Sequence, residues 1–216
     1  MKLKSFPRFL FIAGIIVPAL FCLMYVLSYA DDSKPNLNTI SWEDFKKQKE
    51  ISPYERKESA NLDNDSFKEE YILSRGRLEI RENSKTLWKS PETWWIDDFC
   101  LADSTGDGII DINLSLWRSG CFGKSKPFWI EENDMSIKNH FFVLDLRGNK
   151  VKHIWGSSNL SQPNVKFTFS DWDKDGKQEL VVIEGNYADY PDLKGRYIAV
   201  WRWNGWGFFN EWRHRT

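Results

Sequence analysis

The sequence predicts an all-β protein: a β-propeller-like array of about three four-stranded repeat units, preceded by an N-terminal transmembrane helix. Three observations carry this. An acidic loop leading directly into an apolar strand occurs three times, starting at Asn61, Asp103 and Asp171. Each copy is followed by short alternating segments rich in aromatic and β-branched residues, separated by turn residues. Ahead of them, Phe9 to Ala30 contains no charged residue.

That uncharged run has about the length of a helix crossing a hydrocarbon core of roughly 30 Å, and no polar stripe marks it as a core helix. Ser28-Tyr29-Ala30 has the small residues of a cleavage site, but the run exceeds the usual signal-peptide core. An uncleaved signal anchor over 1–30 is therefore favoured, with a secreted form if it is cleaved. Lys2, Lys4 and Arg8 before the run and Asp31-Asp32 after it leave the N-terminus cytoplasmic and the rest extracytoplasmic. Residues 31–60 are polar, contain Pro35 and Pro53, and read as a stalk. Within it, Ser41 can cap a short helix beginning at Trp42.

The remaining residues, 61–216, suffice for one domain with a core. For the whole part expected outside the membrane, from Asp31 onward, removing Lys2, Lys4 and Arg8 from the 30 basic residues leaves 27 against 31 acidic ones, a formal charge of −4. No basic face stands out, which argues against a nucleic-acid partner. The chain's 12 Trp and 15 Phe favour sheets with aromatic cores.

Each loop introduces a strand: Tyr71 to Leu73, Ile112 to Trp117, and Leu180 to Ile183. A second strand follows at Gly76 to Arg81, His140 to Leu146 and Tyr197 to Trp203. Hairpin turns then fall at Glu82-Asn83-Ser84, Arg147-Gly148-Asn149 and Asn204-Gly205. Third strands end in Trp88, Trp155 and Trp212, expected as core residues between sheets. Trp94 to Leu101 and Val165 to Phe169 read as fourth strands of the first two units. The last unit shows none, and the segment around Glu55 to Ala60 is available to pair there and close a ring.

The loop chemistry is that of a hard-cation cage. Asp171, Asp173 and Asp175 alternate, Gly176 allows a sharp turn, and Glu179 follows three residues later. An EF-hand would need a bidentate Glu where Val182 stands, and flanking helices. The second loop aligns Asp103, Thr105, Asp107, Gly108 and Asp111 on this pattern. The first aligns Asn61, Asp63, Asp65, Ser66 and Glu69, with Asn61 and Ser66 weakening it. An Asp-rich turn without metal is the plain alternative.

The Asp-x-Asp-x-Asp-Gly loop followed by an apolar strand resembles the FG-GAP/VCBS repeats of integrin-α heads and bacterial surface proteins, over about Asn61 to Thr216. The resemblance implies Ca²⁺ ligands at Asp171, Asp173, Asp175 and Glu179, at Asp103, Asp107 and Asp111, and at Asp63 and Asp65 in the weakest loop.

The longer spacing between the second and third loops reflects an insertion near 118–139. Loops projecting from repeat scaffolds carry binding residues, and Phe122, Lys124, Lys126, Phe128 and Trp129 are the candidates here, suited to a cell-envelope protein or glycan. Folding back to cap a sheet is the alternative. Cys100 and Cys121 lie in a compartment that permits a disulfide. No nucleophile elbow, phosphate loop or metal-spaced histidine set occurs. The reading is a non-catalytic, calcium-stabilised binding or scaffold module. Its alternatives are a hydrolase acting on surface polysaccharide, or a structural subunit completed by a partner chain.

Overall fold

The computed structural model describes residues 35–51, 54–122, 126, 128–132 and 134–216. The expected membrane span over 1–30 lies outside these. Among the described residues no helix is long and apolar enough to cross a membrane.

Helix α1 spans Trp42–Glu50, and the Ser41 hydroxyl caps it by accepting from the Asp44 N–H at 3.1 Å. Twelve strands follow: β1 Arg56–Ala60, β2 Glu69–Ser74, β3 Arg77–Glu82, β4 Lys85–Lys89, β5 Trp95–Ala102, β6 Asp111–Ser119, β7 Ile137–Arg147, β8 Lys150–Gly156, β9 Asn164–Ser170, β10 Glu179–Glu184, β11 Tyr197–Trp203 and β12 Phe208–Arg215. They form three four-stranded antiparallel meanders, ordered β1-β2-β3-β4, β5-β6-β7-β8 and β9-β10-β11-β12.

This grouping corrects the expected phase of the repeat. The strand before each acidic loop pairs with the strand after it, as Arg56–Leu73, Ala102–Asp111 and Ser170–Glu179 show. Val165 to Phe169 therefore opens the third sheet and does not end the second. The last unit is complete, and β1 supplies the matching strand of the first sheet. No ring is closed by β1 pairing with the third sheet.

The hairpin turns behave as their residues require. Asn83 and Ser84 (φ 48° and 65°) and Gly148 and Asn149 (φ 51° and 63°) occupy the left-handed region at both central positions.

The middle sheet is covered on both faces, and β7 shows how. Phe142, Leu144 and Leu146 enter one core with Tyr71, Leu73, Leu78 and Ile80 of the first sheet. Phe141 and Val143 enter another with Phe167, Leu180 and Val182 of the third. A strand buried on both faces reads as a continuous apolar run, as Phe141 to Leu144 does. Of the three strand-ending tryptophans, Trp88 and Trp155 pack against these cores. Trp212, expected in a core, is 40 % exposed and lies beside Trp172, with ring centroids 5.5 Å apart.

Pro35–Thr216 forms one compact unit, so the expected stalk gives way to packed chain from Pro35 onward. A third cluster explains why: Leu37, Phe45, Trp95, Trp117, Ile137 and Tyr190 are buried together. Phe45 is the buried residue of α1. It lies 5.6 Å from Tyr190 and 5.5 Å from Trp117 between ring centroids. The Ile137 N–H donates to the Leu37 carbonyl at 2.9 Å.

His140 on β7 is fully buried; its Nδ1 lies 3.1 Å from the Ser157 carbonyl, and Nε2 has no hydrogen-bond partner. Burial pushes the imidazole down to about 4 from 6.5. Between those values the unfolded chain binds a proton that the folded chain refuses, so stability rises with pH. The contribution is complete above about 6.5 and is lost as the pH falls toward 4, on the order of 3 kcal/mol in all. An NMR titration of the His140 ring is expected to give a midpoint near 4. His140→Gln should flatten this part of the stability profile, separating it from buried carboxylates that titrate nearby. A ring midpoint above 6 would contradict the burial argument.

Candidate metal centre

The three nine-residue loops share a backbone scheme built by their own side chains. The last carboxylate is buried in each: Glu69 is 0 % exposed, Asp111 4 % and Glu179 1 %. Each accepts the N–H of the loop's second residue: Leu62 to Glu69 at 2.9 Å, Ser104 to Asp111 at 3.1 Å and Trp172 to Glu179 at 2.9 Å. The fifth residue accepts the N–H two positions on, as Asp65 from Phe67, Asp107 from Ile109 and Asp175 from Lys177. Gly108 and Gly176 donate back to the first residues, Asp103 and Asp171.

The fourth residue is left-handed throughout, at Asn64 (φ 59°), Gly106 (72°) and Lys174 (65°). Asn64 and Gly106 are residues that favour this conformation, but Lys174 gives no local sign of it.

Two loops gather oxygens on one point. Asp63, Asp65 and Glu69 offer carboxylate oxygens within 4.8 Å of one another, and so do Asp171, Asp173 and Glu179. Glu69 Oε1 and Glu179 Oε1 are buried and receive no hydrogen bond. A buried carboxylate oxygen without a hydrogen-bond donor is what a coordinated cation satisfies, so these residues fit Ca²⁺, although at Glu179 Oε1 the Arg202 Nη2 already stands 3.7 Å away.

Asp103, Asp107 and Asp111 do not form such a group among the described residues. Asp103 turns its oxygens to the N–H groups of Gly106 and Gly108 at 2.7 and 2.8 Å. Asp111 accepts from the Ser104 hydroxyl at 2.7 Å, while burial pushes it up to about 6. Asp175 directs Oδ1 to the Lys177 N–H and Oδ2 toward Arg202 at 3.4 Å.

Sequence reasoning aligned Glu69 with Glu179 but left it out of the ligand set; that alignment was the available signal. It missed two further groups. Glu82, at the end of β3, is pushed above the usual carboxylate range by burial and then by the charges of Asp65, Asp63 and Glu69. Arg202, on β11, pairs with Asp173 and with Glu211 at 3.1 Å. The Asp173 carboxyl is accordingly held below its usual range.

The insertion narrows to the tip of the β6–β7 hairpin, since Ser119 pairs with Ile137. Phe128 is 94 % and Trp129 68 % exposed, with ring centroids 4.8 Å apart. Lys126 Nζ donates to the Glu131 carbonyl at 3.0 Å, and Phe122 is half-buried. Lys124 lies outside the described residues. No disulfide joins Cys100 to Cys121. The sequence also shows no sign of a cavity of about 360 Å³ between the second and third sheets, lined by Trp155, Trp201, Trp206 and Glu184.

No family model, no curated protein and no solved structure matches the chain.

Proposed function

We propose that this chain is a non-catalytic, calcium-stabilised binding or scaffold module exposed outside the membrane at the cell envelope, built from propeller-like repeats of the FG-GAP/VCBS type. The observation that carries the reading is the convergence of Asp63, Asp65 and Glu69, and of Asp171, Asp173 and Glu179, around buried glutamate oxygens that accept no hydrogen bond. Repetition of the loop scheme in all three sheets supports a shared structural role. The charge pattern around the apolar run at 9–30 supports a membrane anchor with this domain outside. An envelope protein or glycan is the partner class, and the Phe128–Trp129 pair is the surface offered to it.

Extracellular calcium modules bind at about 10⁻⁴ to 10⁻³ M. At about 5 mM Ca²⁺, linkage gives a stabilisation of about 1–2 kcal/mol per site, or a rise in Tm of roughly 2–8 °C. Thermal melts of the whole chain in Ca²⁺, Mg²⁺ and EDTA test this. A Ca²⁺-specific rise is expected; identical melts in all three would overturn the calcium reading and make a hydrolase screen the next step.

Phe128→Ala combined with Trp129→Ala is expected to leave the free energy of unfolding in urea within about 0.5 kcal/mol of wild type, because exposed side chains away from a core contribute little. A larger loss would show that the tip caps a sheet, as in the fold-back alternative.

A further inference from the structure

Three otherwise equivalent positions hold two carboxylates and one guanidinium. One register step beyond the Glu70–Arg81, Ile112–Leu144 and Leu180–Trp201 pairs, the residues facing Glu69, Asp111 and Glu179 from the next strand are Glu82, Asp145 and Arg202. Opposed residues of an antiparallel pair project from the same face, so each stands beside its loop's buried carboxylate. Glu82 and Asp145 are themselves buried, at 9 % and 1 % exposure.

We infer that this cross-strand residue decides between the first and third loops which takes up an added divalent cation. The first loop binds one through Asp63, Asp65 and Glu69 with Glu82 as an added acidic neighbour, whereas the third loop carries a built-in cation, Arg202. The inference rests on the calcium reading above and reverses the ranking of the loops by sequence, in which Asn61 and Ser66 make the first the weakest.

The geometry of the third loop is that of an occupied site. Arg202 Nη2 bonds Asp173 Oδ2 and lies 3.7 Å from Glu179 Oε1, Nη1 lies 3.4 Å from Asp175, and Nε lies 3.1 Å from Glu211. A planar guanidinium presents five donors in a fixed fork, enough to face all four carboxylates. Calcium needs oxygens at about 2.3–2.6 Å. An ion bound to Asp173 and Glu179 would claim the space of Nη2, so it enters only by displacing Arg202.

In the first loop the facing residue adds a negative charge, and Glu69 Oε1 remains buried without a donor. The second loop's own carboxylates accept from Gly106, Gly108, Ile109 and Ser104, so they are turned away from a common point. The facing Asp145 is buried without a hydrogen-bond donor on either oxygen, but it forms an ion pair with Arg147.

Calorimetric titration of the whole chain with CaCl₂ counts the sites. Wild type is expected to bind one equivalent. Asp63→Asn should abolish it and Glu82→Gln should weaken it roughly tenfold, while Asp171→Asn should leave the count at one. Arg202→Met is expected to raise the count to two and to enlarge the Ca²⁺-induced rise in Tm; Arg202→Lys, which keeps the charge, should hold it at one. The Asp63 and Asp171 variants decide the matter even where Arg202→Met fails to fold. Wild type with an equivalent lost in Asp171→Asn would overturn the inference and leave the calcium reading intact. One equivalent in both wild type and folded Arg202→Met would also overturn it. No binding by wild type or by Arg202→Met would remove both.

Discussion

Trp117→Ala is expected to be the most damaging single core substitution, lowering the free energy of unfolding by roughly 3–5 kcal/mol. Trp117 is fully buried and touches three aromatic neighbours, with centroids 5.5 Å from Phe45, 5.9 Å from Tyr187 and 5.8 Å from Tyr190. Its Nε1 donates to Asp97 Oδ2 at 2.6 Å, and Lys49 lies 5.1 Å from its ring centroid while pairing with the same Asp97 at 2.9 Å. Alanine opens a cavity where α1 is fastened and leaves Asp97 without one of its donors. Trp117→Phe keeps most of the packing and is expected to lose about 1–2 kcal/mol, chiefly the hydrogen bond to a charged group. Urea unfolding of the two variants measures both. A loss below about 1 kcal/mol for Trp117→Ala would mean that α1 is not held by this cluster.

Gly76→Ala is the second large effect, expected at roughly 2–5 kcal/mol. Gly76 turns β2 into β3 at φ 70°, where an L side chain costs about 1–2 kcal/mol. A Cβ there would sit 2.4 Å from Trp95 Cδ2, so the buried indole would have to move, adding about 1–3 kcal/mol of overpacking. The backbone has little room to yield, because the Gly76 carbonyl accepts from the Ile96 N–H at 2.9 Å. Gly176→Ala is the internal control. Its φ is 88°, but nothing lies within 4 Å of the added methyl, so only the backbone term applies. Equal losses in the two variants would show that the Trp95 contact is not the cause.

Local features were legible in the sequence because their causes are local. The acidic loops were visible because alternating Asp residues bond their own backbone and the Gly at the sixth position accepts a positive φ. The hairpin turns were visible because Asn and Gly tolerate left-handed backbone, and the strands because aromatic and β-branched residues alternate. The Asp63, Asp65 and Glu69 group and the Asp171, Asp173 and Glu179 group were therefore within reach of spacing alone.

Pairing was not. Val165 to Phe169 is near enough in sequence to join either the second sheet or the third, and both placements satisfy its own alternation. What decides is which placement gives β10 a second partner beside β11 and buries Phe167 with Phe141 and Leu180. The docking of helix α1, not the helix itself, was hidden for a related reason: one buried residue, Phe45, in a polar helix makes no periodic stripe, and its partners Trp117 and Tyr190 lie far along the chain. Arg202 belongs to the same class, since it reaches the third loop only through the register of β10 with β11.

By itself, the sequence determined the strands, their turns and the acidic loops, because each is specified by backbone preferences within a few residues. The tertiary structure alone decided which strands share a sheet, that the chain from Pro35 belongs to the packed unit, and that one loop faces an arginine where another faces a glutamate. Those outcomes depend on burial and register between segments distant in the chain, which no local preference encodes.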